Sequence, residues 1–276
     1  MMKYYKLKSI GIAAFSVCVL TVLYCLLFSS SPPALTGNTK AATVELLAKQ
    51  NIKVSPSLIP EKSTFLAGAI VKNGIQDKED FAGKFLGSGA QAVKGNEDLY
   101  IKENEQFLFH GNTFSYQLQT PAGNLGLNNL TVDNASKKSK EIMGHYQLNI
   151  SNSIIKVEKV DQMFLVSMTK TLDDLPIFND AITLSLSVSG LYSITGTWFE
   201  DNHNHTVFER RVPAKNPLGI LLDFAQLPDR PRAAEISDIT LGYLLDTTDG
   251  EYQAEVPLQP VWRITLKSGE IYDFPA

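Results

Sequence analysis

Ser167-Met168-Thr169-Lys170 places a serine three residues before a lysine, and Lys267-Ser268-Gly269 follows later in the chain. Together they resemble the serine–lysine pairing by which penicillin-interacting enzymes activate a nucleophile. That chemistry needs the serine to open a helix, so that the lysine meets it one turn on. Here Phe164, Val166 and Met168 alternate with Leu165, Ser167 and Thr169. The period of two describes a strand, and it puts Ser167 and Lys170 on opposite faces. Asp173-Asp174-Leu175-Pro176 then stops any helix, and Lys267-Ser268-Gly269 reads as a hairpin turn. His203-Asn204-His205 follows Glu200-Asp201. Two imidazoles at i, i+2 beside carboxylates are a possible zinc pair. No third, distant ligand is indicated, and the same residues suit an exposed hairpin tip. His203 and His205 are therefore the candidate metal ligands, while no metal or cofactor is expected. Asp173-Asp174 and Glu200-Asp201 invite comparison with glycosidase carboxylates, yet adjacent acids in turns read as solvated surface. Gly87-Ser88-Gly89 fits a helix end, with Gly87 at C′, better than a phosphate cradle. The chain has no G-x-S-x-G, H-E-x-x-H or Walker loop. No catalytic residue is assigned, and an enzyme is not expected.

The elements around these residues alternate between helix and strand patterns. Residues 41–50 form a helix with Thr39 placed to cap it. Residues 64–72 read as a strand. Residues 77–86 form a short helix capped by Asp77, with Phe81 and Phe85 on one face. Strands follow at 99–103, 106–110 and 113–119. Residues 121–129, rich in Gly and Asn, read as a linker, and 133–146 as a polar helix with Ile142 and Met143 turned inward. Residues 182–189 alternate without a fault, Gly190 turns the chain, and 192–199 returns. Asn216-Pro217 caps an apolar helix over 218–227. Strands at 237–245, 261–267 and 270–274 complete the pattern. The expected class is α+β, with a first domain over 35–125 and a second over 130–276, each an antiparallel sheet with packed helices.

The N-terminus sets the setting. Lys3, Lys6 and Lys8 precede an uncharged run from Ile10 to Phe28, closed by three serines and two prolines at 29–33. Nineteen helical residues rise about 28 Å, close to the hydrocarbon thickness of a bilayer. Lysines on that flank keep it cytoplasmic. Residues 1–8 thus read as a cytoplasmic tip and 9–30 as a single transmembrane helix, with the bulk extracellular at the cell membrane. A cleaved signal peptide is the rival reading; its apolar stretch runs about 7–15 residues before a small-x-small cleavage site. Three of the 25 basic residues and none of the 29 acidic ones lie in the tip, so the remainder is more acidic than the whole chain at −4. That excess argues against a nucleic-acid partner. The two cysteines, Cys18 and Cys25, both fall in the apolar run, which leaves the body no disulfide. They share a helix face, where they either meet a partner helix or face lipid. Ser16 and Thr21 join them as candidate transmembrane contacts.

Three local patterns carry a resemblance: Leu175-Pro176-Ile177-Phe178 before the alternating strand, Ile239-Thr240-Leu241-Gly242-Tyr243, and Pro260-Val261-Trp262-Arg263-Ile264 with Gly269 and Tyr272. With the apolar segment and the length, they make the chain resemble YycI-type regulatory proteins of the YycH/YycI family. The resemblance covers the apolar segment and residues 160–276 and is vague across 35–150. It implies a membrane-anchored extracytoplasmic regulator, without catalysis of its own, that modulates a cell-wall sensor histidine kinase of the YycG type by complex formation with it and a YycH-like protein. It also implies that the 10–28 stretch makes the kinase contact. Elementary packing explains the same residues separately: Trp262, Ile264 and Leu266 alternate inward, and Arg263 faces away toward a carboxylate or solvent. A cell-surface ligand- or peptide-binding module is the alternative, and an envelope hydrolase the third reading.

Overall fold

The computed structural model describes residues 37–61, 65–66, 68–122, 127–200, 212–248 and 250–276. Helix α1 (Gly37–Lys49) leads into a short strand β1 (Ile52–Lys53) and, after a 3-10 turn, β2 (Phe65–Leu66) and β3 (Ala69–Asn73). Helix α2 (Lys78–Leu86) follows, its first turn closed by the Asp77 carboxylate accepting from Asp80 N at 3.0 Å. Gly87, at φ 76°, ends it. The next strands are β4 (Ala92–Val93), β5 (Asn96–Lys102), β6 (Glu105–His110) and β7 (Thr113–Ala122). Helix α3 (Val132–His145) opens on a reciprocal box, in which Thr131 and Asn134 each bond the other's backbone N–H. Then come β8 (Ser153–Val160), β9 (Met163–Leu172), β10 (Leu175–Ser187), β11 (Gly190–Thr197), β12 (Phe199–Glu200) and β13 (Val212–Pro213). Helix α4 (Pro217–Ala225), capped by Asn216, precedes β14 (Ala234–Leu245), β15 (Glu255–Leu266) and β16 (Ile271–Pro275).

Fourteen of the described strands belong to one sheet; β2 and β13 form a separate pair. The principal path runs β12-β3-β15-β14-β10-β11-β7-β6-β5-β4, with β1 and β16 on β14 and β15, and β8-β9 on β10. Two pairings are parallel, β1 with β14 and β10 with β14. Strand β10 makes the connection. Its first residues meet β14 at Ile177↔Tyr243, and past a register shift its remainder lies between β9 and β11. Strand β8 is bonded only to β9 among the described strands.

This overturns the expected α+β class of two antiparallel-sheet domains. The described residues form a large mixed sheet with few helices, and none of those helices is long and apolar enough to cross a membrane. The segment expected to span the bilayer, 9–30, lies outside the described residues. Alternation assigns each strand an inner and an outer face, but it names neither its neighbour nor the direction of pairing. The stretch read as a linker is also partly structural: β7 continues to Ala122, and Leu127 and Leu130 are buried. Helix α1 is already formed at Gly37, the first described residue, so Thr39 lies inside it.

Two apolar cores form. One draws only on residues between Ile75 and Trp198 and packs α2 and α3 under the strands β4 to β11. Its centre is aromatic: Phe81 and Phe85 of α2 meet Phe107, Phe114 and Tyr116, and Phe85 stacks on Tyr146 at 4.7 Å. The other combines Leu47 to Val71 with residues from Leu172 to Leu266, under α1 and α4. The inward row expected of β15 is present, with Trp262, Ile264 and Leu266 all buried. A buried set of amides ties the two halves. Asn73 Nδ2 donates to Asn112 Oδ1 at 2.9 Å, Asn112 Nδ2 donates to Gln253 Oε1 at 3.2 Å, and Gln253 N donates back to Asn112 Oδ1 at 2.8 Å.

Candidate functional site

The serine–lysine pair does not assemble. Ser167 Oγ lies 3.4 Å from Thr183 Oγ1 on the neighbouring strand. Lys170 Nζ instead donates to Phe199 O and sits 3.8 Å from the centre of the Trp198 ring. Lys267 is in the β15–β16 turn, paired with Glu235 at 2.5 Å. Asp173 and Asp174 both adopt left-handed backbone in the β9–β10 turn. The candidate metal ligands His203 and His205 and the candidate contacts Ser16, Cys18, Thr21 and Cys25 lie outside the described residues. His145 packs edge-on to Tyr146 at 5.3 Å. Among the described residues no three His, Cys, Asp or Glu side chains gather to hold a metal ion.

The three sequence patterns from the second half converge on the β10–β14 connection. Ile177 pairs with Tyr243. A Cβ on Gly242 would come within 2.5 Å of Pro176 O and 2.7 Å of the Phe178 ring, so only glycine lets β10 approach here. The Phe178 ring also carries the Arg263 guanidinium, 4.0 Å from its centre. Arg263 in turn holds Asp273 through two bonds of 2.8 and 2.7 Å. Asn179 extends the connection by mimicking a strand: its amide donates to Leu245 O at 2.9 Å and accepts from Leu245 N at 2.6 Å. These residues hold two sheet segments together, and each is committed to a neighbour.

A polar groove runs along α2. One depression, of about 430 Å³, lies over Glu79, Asp80, Gly83, Lys84, the 87–90 turn and Gln147. A second, of about 400 Å³, shares Lys84 and Gln147 and continues over Asn149, Asn152, Lys170, Trp198 and Glu200. Helix α2 supplies one wall because its Phe81 and Phe85 face is anchored in the aromatic core. The 147–152 turn supplies the other. Gln147 stands there in left-handed backbone at φ 60°, and Leu148 N bonds Met143 O at 3.0 Å to close the end of α3. Lys84 rests 5.3 Å from the Phe81 ring and has no ion pair among the described residues. Below the groove, burial and the neighbouring Tyr146 and Glu105 push the Tyr116 phenol well above its usual range, so it stays protonated.

The fold is similar to that of YycH. The crystal structure of YycH from Bacillus subtilis aligns with a TM-score of 0.53 at 11% identity, covering 78% of this chain and 53% of YycH. The chain therefore spans about half the length of YycH. An uncharacterized protein from Eubacterium rectale aligns at 0.48 with 11% identity, over 77% of this chain and 79% of its own. The C-terminal domain of Bacillus megaterium YpeB aligns at 0.36 with 11% identity, over 74% of this chain and 100% of its own. No family model matches the chain, and no curated protein matches its sequence. The likeness to YycH is one of fold. It supports the broader YycH-like assignment made from the three patterns, and it does not distinguish the YycI type.

The groove escaped the sequence reading because its residues come from segments near 80, 150, 170 and 200, with no shared motif. One local signal was present. Gly83 interrupts an otherwise good helix between Phe81 and Phe85, and no core contact there requires a glycine.

Proposed function

We propose that this chain is an extracytoplasmic regulatory module that acts by forming a complex, without catalysis of its own. Its partners in this reading are a cell-wall sensor histidine kinase of the YycG type and a YycH-like protein. The run from Ile10 to Phe28 holds it at the cell membrane with the bulk outside, and Ser16, Cys18, Thr21 and Cys25 offer the contacts within the bilayer. The observation that carries the reading is the YycH-like fold. The commitment of Ser167 and Lys170 to separate neighbours also favours binding over acyl transfer. A regulator of this kind works by contacting one kinase state better than the other, since equal affinity for both shifts nothing.

The test is affinity purification of the tagged chain from native membranes. The kinase and the YycH-like protein are expected in the eluate, and recovery of neither refutes the reading. Exchanging residues 9–30 for an unrelated apolar span then locates the contact: retained recovery moves it to the outer body.

A further inference from the structure

We propose that the groove along α2 binds an extended peptide segment whose single acidic side chain is taken by Lys84. The inference goes beyond the regulatory reading and does not depend on it. Four observations carry it. First, the two depressions adjoin, sharing Lys84 and Gln147 in their linings, and together they offer a shallow surface that suits an extended chain. Second, Gly83 faces this channel from within α2. A Cβ there would meet nothing within 4 Å, so no internal packing calls for glycine. An interior helix glycine costs stability relative to alanine, and here its effect is to let another backbone approach the helix. Third, the opposite wall is lined by side-chain amides. The Gln147 amide makes no hydrogen bond among the described residues, and it has both a donor and an acceptor for a peptide unit. Fourth, Lys84 stands at the junction of the two depressions without an ion pair among the described residues.

The charges set the ligand's character. Glu79 and Asp80 line one depression and Glu200 the other, where the second cation, Lys170, is already engaged with Phe199 O and the Trp198 ring. A wholly acidic peptide is repelled in both, while one carboxylate where they adjoin meets Lys84. A glycan fits less well. Sugar recognition favours an open aromatic face, but Trp198 is only 6% exposed and the Lys170 ammonium already covers its ring.

The experiment is fluorescence anisotropy of the entire chain with labelled acetyl-Lys-Gly-Asp-Gly-Lys-amide, its Asp-to-Asn counterpart and, as competitor, chitotetraose. The Asp peptide is expected to saturate, with the Asn peptide about two- to fivefold weaker, as suits an ion pair to an exposed lysine. Lys84→Gln removes that difference. Gly83→Leu weakens both peptides about tenfold or more by filling the channel, while the melting temperature does not fall, because the side chain enters open space and the helix gains propensity. Three results each overturn the proposal: no saturable binding of the Asp peptide up to about 5 mM, equal binding by parent and both variants, or displacement of the peptide by chitotetraose.

Discussion

Asn112→Ala tests how the two halves are joined. Asn112 is 5% exposed and Asn73 1%. The substitution removes three hydrogen bonds: from Asn73 Nδ2 at 2.9 Å, from Gln253 N at 2.8 Å and to Gln253 Oε1 at 3.2 Å. The survivors are not equally harmed. Asn73 Nδ2 keeps a bond to Gln253 O at 3.3 Å, and Gln253 Oε1 still accepts from Thr248 N at 3.0 Å. Gln253 N is left without its acceptor. A net intramolecular bond contributes about 1 kcal/mol, and stranding a partly buried donor costs about 1 kcal/mol or more. The expected loss is therefore about 3–4 kcal/mol, or a fall of roughly 6–16 °C in Tm for a protein of this size. Urea unfolding of the chain labelled with 5-fluorotryptophan reads the free-energy loss and more, and a thermal melt reads the shift in Tm. Trp198 reports one core and Trp262 the other. In the parent the two fluorine signals should be lost together, and in Asn112→Ala they should separate. The double mutant with Asn73→Ala should show a coupling of about 1 kcal/mol. A loss under about 1 kcal/mol with both signals still coincident would refute the reasoning, because water or a shifted backbone would then replace the amide without cost.

Asn179→Ala removes both bonds to Leu245 and should destabilise by about 2 kcal/mol in thermal unfolding, with hydrogen exchange accelerated at the Leu245 amide. Gly83→Ala should stabilise by about 0.8–1 kcal/mol, since the helix gains propensity and the new methyl meets no neighbour; a loss of stability would contradict the open space above α2. Tyr116 and Tyr146 hold their protons more tightly folded than unfolded, chiefly because burial disfavours the phenolate. Their contribution is intact below the ordinary pKa of 10.0 and erodes above it, as the unfolded chain ionises first. Stability should fall by up to about 1.4 kcal/mol per pH unit for each tyrosine in that range, and Tyr116→Phe should flatten the slope in alkaline melts.

Local chemistry was readable from the residues where the signal and its cause are neighbours. Asp77 and Gly87 bracket α2, Asn216-Pro217 opens α4, and residues 182–186 alternate between buried and half-buried as expected, until Ser187 is buried beside Leu186. The alternation also separated Ser167 from Lys170 without reference to a fold. What stayed hidden depends on partners far apart in the chain. Asn112 and Gln253 are 141 residues apart, and nothing around either marks it as a partner of the other. The parallel meeting of β10 with β14 rests on one register pair, Ile177↔Tyr243, and neither residue's hydrophobicity says which strand lies beside it. Gly242 is the exception. A glycine inside a strand pattern signals close approach of another backbone, and Pro176 O is what approaches.

The division into two cores has a consequence for synthesis. The aromatic core is built from one uninterrupted stretch, from Ile75 to Trp198, and can close as soon as that stretch has left the ribosome. The other cannot. Strand β3 is made early, yet its neighbour is β15, where Lys72 pairs with Glu255. At roughly 5–20 residues per second, β3 and the apolar side of α1 wait on the order of ten seconds or more for the strands that cover them. The early N-terminal strands are thus the part of the nascent polypeptide that most needs shielding, and a ribosome stalled before residue 255 would hold one finished lobe beside one that is still open.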